Sequence, residues 1–156
     1  MNIVLIEPQI PQNTGNIARI CAATGSPLHL VGKLGFKTDD KHLKRAGLDY
    51  WQYLDISYYD NFGNFERQVS GTGHFYFITT RGNKVYAEVS FKADDYLIFG
   101  SETSGLPETL RSRPGDCYLR IPMIEEARSL NLANSVGIVL YEALRQGGFV
   151  NCQPFP

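Results

Sequence analysis

The chain has 156 residues, a formal net charge of −1, 43% hydrophobic and 20% charged residues, the make-up of one soluble globular domain with room for a substantial core. Such a balance neither demands nor excludes nucleic acid, so any RNA site has to be a local basic patch. Cys21, Cys117 and Cys152 are odd in number and lack C-x-x-C spacing, which argues for reduced thiols in a cytoplasmic protein and against a disulfide frame or zinc site. No apolar run approaches the length of a membrane span, and the first is too short for a signal peptide.

Asn2-Ile-Val-Leu-Ile6 is a continuous apolar run, as a buried parallel strand requires. A proline-punctuated loop follows. Asn13 or Thr14 is placed to cap a helix through about Thr24, with Arg19 a turn in and Gly25 as the stop. Residues 28–31 form the next strand, and strand, helix, strand in that span predicts a parallel sheet. Residues 32–50 are polar and basic; Asp39 or Asp40 opens a short helix carrying Lys41, His42, Lys44 and Arg45. Residues 51–56 alternate as a strand, 60–69 read as a helix with Phe62 and Phe65 inward, and 75–78 and 96–99 are strong strands. Pro107 suits the first turn of a short helix reaching Arg111. A strand over 118–121 ends at Pro122, which has no amide hydrogen. The expectation is a single α/β domain over residues 1–156, an open, mostly parallel sheet with helices on both faces.

The last helix is unusual. Val136, Ile138, Val139, Leu140, Tyr141, Ala143 and Leu144 go most of the way round it. Either it lies inside the fold or a second subunit covers its other side. Ser129, Asn131, Asn134 and Ser135 lead into it, where free amides and the helix dipole favour a ligand.

In such sheets ligands gather at the carboxyl ends of the strands. Three loops leave such ends with small polar residues: Thr79-Thr80, 100–105 and 122–131. The sequence contains no G-x-G-x-x-G after a strand, no P-loop, no G-x-S-x-G elbow and no zinc spacing. Dinucleotide, nucleoside-triphosphate, triad and metal chemistries therefore have no support. His74 opens an apolar strand and reads as structural. Arg19 offers a planar fork that suits phosphate, or else a surface ion pair. The Lys41 to Arg45 cluster is either an RNA patch or a solvated helix face.

Asn13-Thr-Gly-Asn-Ile-Ala-Arg19, Phe99-Gly-Ser-Glu-Thr-Ser-Gly-Leu-Pro107, and Ile121-Pro-Met with Ser129-Leu-Asn-Leu-Ala-Asn-Ser-Val136 resemble the three motifs of the SPOUT RNA methyltransferases. They occur in the same order, and the likeness covers essentially the whole chain. Arg45-Ala-Gly-Leu-Asp-Tyr50 and Tyr141-Glu-Ala-Leu-Arg145 bring it nearest to the TrmL (YibK-type) group. The resemblance implies a deep carboxyl-terminal trefoil knot and a homodimer. It implies S-adenosylmethionine, with no metal, bound by Ile78, Thr79, Gly100, Glu102, Gly105, Ile121, Met123, Ser129, Leu130, Asn131 and Asn134. Arg19, Asn13 and Glu102 would be catalytic. The reaction implied is ribose 2′-hydroxyl methylation of the wobble cytidine or modified uridine of leucine tRNAs. Arg19, Lys41, Lys44, Arg45, Arg128, Tyr141 and Arg145 would meet the RNA. Relatives often carry a basic residue where this chain has Ser104, so that RNA contact is not implied here. Two other outcomes stay open: a sister enzyme acting elsewhere in tRNA or ribosomal RNA, and a non-catalytic RNA-binding protein.

Overall fold

The structure, a computed structural model, describes residues 1–37, 53–113, 117–150 and 152. The basic stretch with Lys41, His42, Lys44 and Arg45 lies outside them. In chain order the described elements are β1 (Asn2–Ile6), α1 (Pro11–Thr24), β2 (Leu28–Val31), β3 (Ile56–Tyr59), α2 (Phe62–Gln68), β4 (Phe75–Ile78), β5 (Lys84–Val85), β6 (Tyr96–Phe99), β7 (Cys117–Arg120) and α3 (Leu132–Gln146). Short 3-10 turns span Tyr86–Glu88 and Glu108–Leu110. The seven strands form one sheet in the order β3-β2-β1-β6-β4-β7-β5, and every pairing is parallel.

A sheet covered on both faces needs strands apolar on both faces, which is why Ile-Val-Leu-Ile and Tyr-Leu-Ile-Phe run without polar interruption. Alternate side chains then divide between two cores. Ile3, Leu5, Leu28, Leu30, Leu97 and Phe99 join Ile17 and Cys21 of α1 and Val136 and Leu140 of α3. Val4, Ile6, Val31, Phe77 and Ile98 join Phe65 of α2 with Leu106 and Leu110. Cys21 has no exposure, and burial pushes its thiol up to about 12, so it is an inert core group. All three cysteines are free.

Several boundaries differ from expectation, each for a local reason. Helix α1 starts at Pro11 and not at Asn13; its N-cap, Ile10, has no side-chain cap, and proline's preset φ suits the first position. Arg19 therefore lies about two turns in rather than one. The third strand is Ile56–Tyr59, not 51–56: the β-branched and aromatic run pairs with β2, while residues 53–55 are outside any strand. Trp51 and Gln52 lie outside the described residues. Helix α2 is shorter than 60–69 because Asn61 caps it, accepting the Asn64 amide at 2.9 Å. Pro107 is the N-cap of a 3-10 turn rather than first-turn helix. Strand β7 sits one residue earlier than expected, at Cys117–Arg120. His74 is exposed; its backbone amide donates to Asp95 and its carbonyl accepts the Tyr96 amide at 2.8 Å.

Helix α3 is not buried all round. Val136, Val139 and Leu140 have no exposure, whereas Ile138 is 38% and Tyr141 49% exposed. Its inner face packs on α1, close enough that a Cβ at Gly137 would touch Ile20 at 3.7 Å.

Strands β4 and β5 flank β7 although only residues 79–83 join them. Ile78 and Lys84 both stand level with Leu119. The connection therefore steps across one face of β7. At Gly82 it lies so close that a Cβ would stand 2.4 Å from the Leu119 carbonyl carbon. Only glycine fits that crossing.

Candidate active site

Because all strands are parallel, the loops after β1, β4, β6 and β7 emerge at one edge. The loop after β6 is a tight knuckle. Ser101 and Gly105 exchange both backbone hydrogen bonds, at 3.1 and 3.0 Å. Gly105 has φ +66°, and a Cβ at Gly100 would stand 2.0 Å from the Gly105 carbonyl carbon. The knuckle aims Glu102 at the start of α1. One carboxylate oxygen accepts the Gln9 amide at 2.8 Å. The other accepts the Ile10 amide at 3.2 Å and Asn13 Nδ2 at 3.0 Å. Helix α1 carries no acidic residue in its first turn, so Glu102 supplies from a distant loop the negative charge that the helix end favours.

Asn13 carries the link onward. Its Oδ1 accepts Asn131 Nδ2 at 3.0 Å, while Asn131 Oδ1 accepts the Ala133 and Asn134 amides at 2.9 and 3.3 Å and caps α3. Each amide donates through nitrogen and accepts through oxygen, so the network is satisfied in one orientation. It binds three stretches of chain, 9–13, 102 and 131–134, into one frame.

Beside that frame lies a cavity of about 700 Å³, the size of a cofactor site. Of the expected cofactor residues, Ile78, Thr79, Gly100, Glu102, Gly105, Ile121, Met123, Ser129, Leu130 and Asn131 line it, as does Asn13. Asn134 does not; its amide is spent on Asn131, and Ser135, one position on, lines the wall instead. Arg128 lines the cavity. Arg19 is exposed on α1 and is not part of the lining. Tyr141 is exposed on α3 with its ring 6.4 Å from Phe149, and Arg145 gives its fork to Glu142 at 2.8 and 2.9 Å. That pairing holds the Glu142 carboxyl down to about 2.

The lining suits a flat, polar, nucleoside-type ligand. Ile78, Phe99, Ile121 and Leu132 offer apolar surface for a flat ring. Glycine-rich and proline-stopped loops offer backbone amides and carbonyls, and among the described residues the only carboxylate in the wall, Glu102, is already bonded.

The model of the SpoU rRNA Methylase family matches residues 1–141. The chain belongs to this family. It is 47% identical over 154 residues to a tRNA (cytidine(34)-2'-O)-methyltransferase of Photorhabdus asymbiotica, covering 96% of this chain and 95% of that one. A solved structure described as giving insights into the 2-OH methylation of C/U34 on tRNA superimposes with TM-score 0.90 at 45% identity, covering 94% of this chain and 95% of that one. The SpoU methyltransferase AviRb of Streptomyces viridochromogenes, in complex with the cofactor AdoMet, matches with TM-score 0.83 at 27% identity over 94% of this chain and 60% of that one. The SPOUT resemblance and the parallel α/β architecture are thus borne out.

Ile10, Arg81 and Arg111 line the cavity although the sequence had not marked them as site residues. Arg81 was within reach, since it adjoins Thr79-Thr80. Arg111 had no sequence signal: it reaches the site only by turning back onto carbonyls of the preceding loop.

Proposed function

We propose that this SpoU-family chain is an S-adenosylmethionine-dependent 2′-O-methyltransferase of nucleotide 34 in the tRNA anticodon loop, with leucine tRNAs as substrates. One observation carries the reading. The three motif stretches converge on a single cavity, framed by the bonded chain Glu102, Asn13, Asn131. The names of the relatives agree with it.

S-adenosylmethionine supplies an activated methyl on a sulfonium, so no metal is needed for the transfer. The chain's residues do the rest. Loops 78–81, 100–106 and 121–131 enclose the donor site and shed water, while the Glu102 frame fixes their relative positions. A bonded Glu102 positions the site and does not serve as the base. A guanidinium is a poor base; Arg19 instead holds the phosphate beside the acceptor ribose and stabilises the developing alkoxide.

Arg19 lies outside the cavity lining of its own chain. A homodimer fits that position, and the exposed apolar residues Ile138, Tyr141, Phe149 and Val150 offer its contact surface. The Gly82 crossing of β7 is in keeping with the implied knot. Among the described residues no helix is long and apolar enough to cross a membrane, in keeping with a cytoplasmic enzyme.

Total tRNA and ribosomal RNA incubated with labelled S-adenosylmethionine, followed by mapping of the label, tests the reading. Label at nucleotide 34 of leucine tRNAs is the expected result. Label confined to ribosomal RNA, or none, overturns it.

A further inference from the structure

Arg111 is the C-cap of the 3-10 turn Glu108–Leu110, and its side chain folds back over the loop after β6. Its Nε donates to the Leu106 carbonyl at 2.8 Å, and a terminal nitrogen donates to the Ser104 carbonyl at 3.2 Å. A guanidinium has five N–H donors, so these two bonds hold the plane and leave a donating edge. Carbonyls orient the charge without cancelling it. Among the described residues no carboxylate lies within ion-pair distance of Arg111. Arg113, two residues on, is paired with Glu66 at 2.6 Å.

The surroundings do not cancel the charge either. Arg81 and Arg128 line the same cavity, and among the described residues the only carboxylate lining it, Glu102, already accepts three N–H groups. A chain of net charge −1 thus concentrates arginines at one mouth. Arg111 is exposed there, where a polyanion can reach it. A planar fork held by two carbonyls is suited to a phosphate diester.

We propose that Arg111 binds a backbone phosphate of the acceptor RNA and so positions that strand over the cavity. It supplies, from seven residues further along the chain, the cation that Ser104 itself lacks. The inference rests on the RNA-methyltransferase reading.

The test is the affinity for a leucine tRNA transcript over a salt series, measured for the wild-type protein and for Arg111→Gln, whose amide can still donate to Leu106. Losing one phosphate contact makes the slope of log affinity against log salt shallower by about 0.7–0.9. Arg111→Lys keeps the charge and retains the slope. Ser104→Lys added to Arg111→Gln restores it. Affinity for S-adenosylhomocysteine, followed by calorimetry on the same proteins, separates RNA contact from loop collapse. An unchanged slope in Arg111→Gln overturns the proposal and leaves the methyltransferase reading standing. A loss confined to S-adenosylhomocysteine binding also overturns it, by moving Arg111 to the donor. A wild-type protein that binds no tRNA removes both.

Discussion

Two carboxylates do the same work at opposite edges of the sheet. At the amino edge, Asp95 is 1% exposed and accepts the His74 and Lys92 amides at 3.0 and 2.7 Å. At the carboxyl edge, Glu102 accepts the Gln9 and Ile10 amides and Asn13 Nδ2. Asp95 closes a turn between neighbouring strands. Glu102 instead ties loops remote in sequence around a cavity. A bonded carboxylate stabilises the fold in the first setting and shapes a binding site in the second.

Breaking each should therefore read out differently. Glu102→Ala frees the loop after β6 from residues 9–13, and methyl transfer falls about 100-fold or more, the cost of a displacement near 1 Å; steady-state methylation with little change in melting temperature is the expected pair of results. Equal losses in stability and rate would make Glu102 another Asp95. Asp95→Ala leaves two backbone amides without their charged acceptor and lowers unfolding free energy by about 3 kcal/mol, measured by urea denaturation. S-adenosylhomocysteine affinity of the folded fraction should survive.

Gly100→Ala sharpens the contrast, since the added methyl would meet the Gly105 backbone and open the knuckle that aims Glu102. Donor affinity falls at least about 10-fold, roughly the effect of removing one well-placed contact, and calorimetry measures it. The smallest effect belongs to pH. His29 sits among Tyr59, Phe65 and Tyr96, its Nδ1 3.2 Å from the Tyr59 hydroxyl and its Nε2 without a partner. Burial pushes its pKa below 6.5, against a smaller opposing pull from Asp55. The unfolded chain then binds the proton more readily. Stability is full above 6.5 and declines as pH falls from there toward the folded value. His29→Phe should flatten that decline in melting curves taken across the window.

What could be read in advance follows from where the information lies. Strands β1, β4 and β6 are interior and apolar on both faces, and β2 is interrupted only by His29, so each announces itself locally. Edge strands β3 and β5 are half exposed; the boundaries of β3 escaped, and so did β5 altogether. Helix α3 looked apolar all round, but its wheel could not say which side the chain itself would cover. The motif loops were legible because their glycines, prolines and amides are side-chain facts.

Composition and apolar runs alone determined a parallel α/β sheet covered on both faces, because burial on both faces demands continuous apolar strands. They also determined which loops carry the polar small residues. Only the tertiary structure decided that Asn13 would leave its expected capping role to join Glu102 and Asn131, and that Arg111 would reach the cavity. Those contacts join residues far apart in sequence or run through backbone carbonyls, and neither leaves a periodic trace in a chain of letters.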